Sequence, residues 1–158
     1  MKSTIFVKAG ATALATLMLS LSAPVFAKGD IFVDDDSLAI KGYDPVSYFV
    51  SAEAQKGQEQ FSLVHEGNTW MFASEENKQA FIENPSAYIP QYGGHCAFAA
   101  AKNSIAPVDP EIWTIRDDKL YLNYNESVRD DRWLPEVEAN IAQSDANWPS
   151  LAIEVETY

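Results

Sequence analysis

Cysteine is almost absent from this sequence. Cys96 is the only one in 158 residues, so no disulfide can close within the chain and the fold must rest on its apolar core. There is no Cys-x-x-Cys pair, which excludes a self-contained thioredoxin-like oxidoreductase. A reaction at Cys96 would need a resolving thiol from another molecule. Histidine is nearly as scarce, with only His65 and His95, so donors for a metal are few. Basic residues are outnumbered: 11 Lys and Arg stand against 23 Asp and Glu, for a net charge of −12. A field of that sign repels phosphate backbones and anionic lipid, which disfavours nucleic acid and anionic membrane surfaces as partners. The chain also lacks a glycine-rich phosphate loop and a nucleophile elbow, and none of its carboxylate pairs stands in a signature. Kinase and hydrolase chemistry therefore have no feature to rest on.

Long apolar runs are confined to the N-terminus. Met1 to Lys8 carries two lysines and no acid, Ala9 to Ala23 is apolar or small, and Val25-Phe26-Ala27 places small residues where a signal peptidase cuts. This is the order of a secretory signal peptide. The apolar run is about 15 residues, short of the roughly 20 that a membrane span needs, and no cysteine near the cut could carry a lipid. The expectation is a signal over residues 1–27 and a periplasmic or secreted domain over 28–158, free of the membrane after cleavage. Loss of Lys2 and Lys8 would leave 131 residues with 9 basic against 23 acidic, a net charge of −14. That length supports one domain with a core.

Along the expected domain, Ala39-Ile40 predicts a short strand. Asp44 can cap a helix that takes Pro45 in its first turn and runs to about Phe49. Phe61–His65 and Thr69–Ala73 predict a hairpin, with Gly67-Asn68 supplying the turn's positive φ. Ser74 caps a helix over Glu75–Glu83, and Pro85 begins a short one through Tyr88. The alanine-rich run His95–Lys102 predicts a buried helix opened by Gly93-Gly94. A second hairpin pairs Ile112–Ile115 with Leu120–Tyr124 around Asp117-Asp118. Asn125 caps a last helix, Glu126 to about Ser144, interrupted at Pro135, and Trp148-Pro149 then returns towards the body. Two β-hairpins with several short helices and a C-terminal helix make a single α+β domain.

The residues that could carry chemistry gather around Cys96. In the first turn of a helix a cysteine meets free backbone N–H groups, which favour its thiolate. Gly93-Gly94 would let a ligand approach, and His95 could donate a hydrogen bond or a positive charge. Free cysteine is also among the most buried residue types, and Ala97-Phe98-Ala99-Ala100-Ala101 reads as core, so a packing role stands beside the reactive one. Cys96, His95, His65 and Met71 are the donors for a soft metal such as copper. His95 and Cys96 would lie about 100° apart on a helix, too far for one ion to take both easily. Tyr43, Asp44, Tyr48, Tyr92 and Trp113 form an aromatic and acidic set that could line a pocket or serve as core and cap.

Several motifs in order resemble the YHS domain: Asp44-Pro45-Val46, Trp70-Met71-Phe72-Ala73-Ser74, Phe81, and Asn84-Pro85 with Tyr88. The small exported YHS proteins of bacteria are more similar still, through Lys41–Phe49, Gln91–Ala97, Leu120–Asn125 and Asn147-Trp148-Pro149. The resemblance spans about residues 37 to 149. It implies a metal-binding or redox module, yet the family's cysteine positions are occupied here by Ser47, Ala73 and Asn77. Members of the exported group with selenocysteine carry it at the position matching Cys96, which implies thiol or selenol redox chemistry there. The expectation is thus a periplasmic YHS-type module centred on Gly93-Gly94-His95-Cys96. In it Cys96 is the reactive or ligating sulfur, His95 tunes it and Tyr92 shapes the approach, with Tyr43 and Asp44 as further binding residues. Copper or another soft metal is the cofactor considered, and an unidentified protein or resolving thiol the partner. The alternative is a non-catalytic interaction module in which Cys96 is packing.

Overall fold

The computed structural model describes residues 31–155. The expected signal segment lies outside them. The described chain is a single α+β domain with two small antiparallel sheets, each a two-stranded hairpin, and helices between and after them.

Both hairpins turn on two residues in the left-handed region. Strand β1 (Gln58–His65) pairs with β2 (Asn68–Phe72), His65 opposite Asn68. The turn is Glu66-Gly67, at φ 50° and 80°, one residue earlier than the sequence predicts. Strand β3 (Asp109–Arg116) pairs with β4 (Lys119–Asn123) through Asp117-Asp118, at φ 50° and 56°. Positive φ at both central residues gives a turn whose twist matches that of the strands.

Between the strands lie short capped helices. Helix α1 covers Ser47–Val50; the Asp44 carboxylate accepts from the amides of Val46 (2.8 Å) and Ser47 (3.3 Å) just ahead of it. Helix α2 (Glu75–Glu83) starts where the Ser74 hydroxyl accepts from the Asn77 amide, and α3 is Pro85–Tyr88. Helix α4 is only Ala97–Ala101. His95 is extended and Cys96 is the residue before the helix, so neither belongs to a helical turn as the alanine run predicts. Ala39 does make a strand-like bridge to Val33, but Ile40 opens a tight turn, Ile40–Gly42, at φ 44°.

The C-terminal region departs most from expectation. Asn125 caps α5 (Glu126–Val128), a wide turn over Arg129–Trp133 and a tight one over Leu134–Glu136 follow, and α6 then runs Val137–Val155. The break at Pro135 is where the sequence places it. Pro149, however, lies inside α6, and Trp148 is a helical residue. A mid-helix proline costs about 3 kcal/mol. Contacts on both sides of it oppose that cost. Ser144 donates to the Ala97 carbonyl (3.0 Å), Asn147 to those of Ala100 (2.8 Å) and Ala101 (3.3 Å), and Leu151 is buried beyond the proline. Asn147 thereby gives the Ala101 carbonyl at the end of α4 a donor and adds a second one to the Ala100 carbonyl, which also accepts from the Asn103 amide (3.0 Å).

The core has two parts. Trp70, Phe72, Phe81, Tyr48 and Leu122 centre the larger, which also holds Cys96. Tyr92, Ala97, Ala100, Tyr121, Trp133 and Leu151 form the smaller, where α4 packs on α6. The Cys96–Ala97 step passes from one to the other, so the segment 92–97 sits at the centre of the fold.

Candidate functional site

The segment entering α4 is shaped by three successive residues in the left-handed region: Tyr92 at φ 56°, Gly93 at 60° and Gly94 at 81°. For Gly94 no other residue fits. A Cβ there would meet Ile40 Cγ2 at 2.8 Å, inside van der Waals contact. Tyr92 bears the same backbone conformation at a cost of about 1–2 kcal/mol. Its ring is the reason: it is buried beside Tyr121 and Trp148, and its hydroxyl donates to Asp145 Oδ1 at 2.9 Å. A strained conformation held by such contacts marks a candidate site.

That turn forms a wall of a cavity of about 250 Å³ between the α3–α4 connection and α6. Ile89, Pro90, Tyr92, Trp148 and Pro149 line it with apolar and aromatic surface, Gly93 completes the turn, and Asp145 supplies its one charged side chain. The Tyr92 and Trp148 rings lie 5.8 Å apart at 59°, forming a corner. Among the described residues no lysine or arginine forms an ion pair with Asp145.

Cys96 points the other way. It is 2 % exposed, packed in the larger core, and its thiol donates weakly to Asn123 Oδ1 at 3.8 Å. Burial pushes the thiol pKa up, and hydrogen bonds from the Ala99, Tyr124 and Phe98 backbone offset only part of the rise. The expected activation by a helix terminus is outweighed because the sulfur is taken out of water along with the amides. His95 supplies no tuning. It is buried with both ring nitrogens unpartnered, edge-on to Phe32 at 5.5 Å and against Trp148 at 5.9 Å. Desolvation lowers its pKa to about 4, so at neutral pH the ring carries no charge and forms no hydrogen bond to Cys96.

The four soft-metal donors do not assemble. His65 packs on Phe81 at the end of β1. Met71 lies beside Gly42 and Leu38, His95 is held between Phe32 and Trp148, and Cys96 faces Asn123. Among the described residues no three of His, Cys, Asp and Glu are grouped to hold an ion.

The aromatic and acidic set also divides. Tyr92 and Gly93 reach the cavity; Gly94 packs beneath it. Tyr43 is elsewhere, donating to Glu111 (2.9 Å) under the Lys56 ammonium (4.2 Å), and burial with Glu111 pushes its pKa up to about 12. Tyr48 packs on Trp113 and donates to the Pro110 carbonyl. Asp44 is fully buried, its second oxygen accepting from the Ala73 amide (2.8 Å) and the Asn77 side chain (2.6 Å). Ser47, Ala73 and Asn77 thus converge on one carboxylate.

Sequence reasoning missed Asp145 and Asn123. Asp145 lies 53 residues from Tyr92 in an unmarked acidic helix; Asn123 is polar yet fully buried at the end of β4, with its Nδ2 unpartnered. No family model, no curated protein and no solved structure matches the chain.

Proposed function

We propose that this chain is an exported YHS-type module that binds a small ligand or partner group without covalent chemistry, with Cys96 as packing. The observation that carries the reading is the division of the segment 92–96. Its Tyr92-Gly93 end lines a cavity, while its Cys96 end is sealed in the core. A thiol acts as a nucleophile or ligand only as a thiolate within reach of its partner. Here burial opposes both conditions.

The order of the YHS-like motifs and the signal-like N-terminus support the family and the export. Both have direct tests. The N-terminal residue of protein recovered from a periplasmic extract is expected to be Lys28; an intact Met1 in that fraction would contradict cleavage. For the binding reading, small-molecule fragments are expected to shift the resonances of Tyr92, Gly93 and Trp148 in the purified protein while Cys96 stays unreactive. Fast alkylation of Cys96 in the folded protein would overturn it in favour of thiol redox chemistry. Copper retained against a competing chelator, and lost in Cys96→Ser, would favour the soft-metal role instead.

A further inference from the structure

The cavity has a chemistry of its own. Two aromatic rings meet at a corner, Tyr92 and Trp148 at 5.8 Å, and the carboxylate of Asp145 stands at its edge. Tyr92 occupies Asp145 Oδ1, and no cation among the described residues pairs with this carboxylate. Pro149 has no N–H to give the Asp145 carbonyl, the partner which the helical pattern assigns it. The lining therefore brings together two aromatic rings and one carboxylate, has Ser86 and Gln91 as its neutral polar side chains, and holds no cationic side chain that would neutralise an anion. The faces of aromatic rings attract cations, tryptophan most strongly, and cages of such rings hold quaternary ammonium groups.

We propose that the Tyr92–Trp148–Asp145 cavity binds a free methylated ammonium solute of the choline type. This rests on the reading of the chain as a non-covalent binding module and names the ligand class. Size agrees: about 250 Å³ is just below the range of about 300–1,000 Å³ for drug-sized ligands, and suits a compact headgroup. A primary ammonium is more strongly hydrated and would give up more solvation on entering walls built of Ile89, Pro90 and Pro149. The net charge of −12 favours a cation over a zwitterion, because a carboxylate or phosphate on the same ligand would be repelled.

The test is titration of the purified protein with choline, followed by calorimetry and by the indole resonance of Trp148. The comparison ligand is 3,3-dimethyl-1-butanol, which has the same shape with carbon in place of the charged nitrogen. Choline is expected to bind roughly three- to thirtyfold more tightly than this neutral isostere. Asp145→Asn keeps an acceptor for Tyr92 and removes the charge; it is expected to weaken choline severalfold and leave the isostere unchanged. Trp148→Phe is expected to weaken choline more than the isostere. Glycine betaine and phosphatidylcholine vesicles are expected to bind less than free choline. Equal affinity for choline and the isostere, or an Asp145→Asn protein that binds choline as before, would overturn the proposal and leave an apolar binding cavity. Displacement of choline by an equal concentration of potassium chloride would overturn it as diffuse attraction to an acidic surface. Absence of any Trp148 response to choline would overturn it as well. None of these outcomes concerns Cys96, so the fate of the broader reading is read separately, from thiol reactivity.

Discussion

The Asn77 side-chain amide donates to Asp44 Oδ2 at 2.6 Å, and this contact ties the first helix of the domain to the second. The Ala73 amide shares the same oxygen, and the amides of Val46 and Ser47 fill the other. Asp44, itself fully buried, is the hub of a polar node whose Ala73 and Asn77 members are half-buried. In the YHS resemblance Ser47, Ala73 and Asn77 stand where cysteines are expected. Here those positions surround a carboxylate already supplied with four donors.

Removing the hub should cost more than removing one spoke. Asp44→Ala strands three backbone amides in the interior and is expected to destabilise by about 3 kcal/mol or more, whereas Asn77→Ala removes one hydrogen bond to a charged acceptor, worth about 1.5–3 kcal/mol. Urea unfolding should show both as lower midpoints at unchanged slope. Equal losses for the two variants would contradict the role assigned to Asp44.

Gly94→Ala tests the turn beneath the cavity. The substitution demands a left-handed alanine, costing about 1–2 kcal/mol, and a Cβ at 2.8 Å from Ile40 Cγ2, which adds overpacking of about 1–3 kcal/mol. A loss of about 2–5 kcal/mol is expected from the two together. A variant as stable as the parent would mean that the turn is not as described.

Much of the architecture was legible because it is local. Ser74 and Asn125 announce helix starts through their own hydroxyl and amide oxygen, and Asp117-Asp118 marks a hairpin by its turn chemistry. What escaped depends on distant partners. Pro149 reads as a helix breaker, yet α6 passes through it because Ser144, Asn147 and Leu151 are held against α4 and the smaller core. The alanine run reads as a helix from His95, but the left-handed turn of Tyr92-Gly93-Gly94 leaves His95 extended and Cys96 non-helical ahead of it. Of the residues that line the cavity, the sequence singles out Tyr92 and Gly93 but not Asp145, since no nearby residue marks it as the acceptor for a tyrosine so far away.

His95 should leave a signature in the pH dependence of stability. Its pKa falls from 6.5 to about 4 on folding through desolvation. Between those values the unfolded chain binds a proton that the folded chain does not, so stability drops as pH falls from about 6.5 to about 4. The loss from this residue is on the order of 3 kcal/mol. His95→Phe replaces two unpartnered nitrogens with apolar ring edge among Phe32 and Trp148. The variant is expected to match or exceed the parent at pH 7 and to flatten the slope between pH 6.5 and 4 in unfolding curves taken at each pH. A slope identical to the parent's would contradict the neutral, desolvated imidazole.

The state of one sulfur decides between binding and covalent chemistry, and its reaction rate with an alkylating probe at neutral pH, folded against unfolded, measures that state. With Cys96 packed at 2 % exposure and its thiol pKa raised, the folded protein is expected to react more than roughly a hundredfold more slowly than the chain in denaturant, the probe gaining access only through opening of the core. A folded rate equal to or above the unfolded one would contradict the account and return Cys96 to the centre of the function.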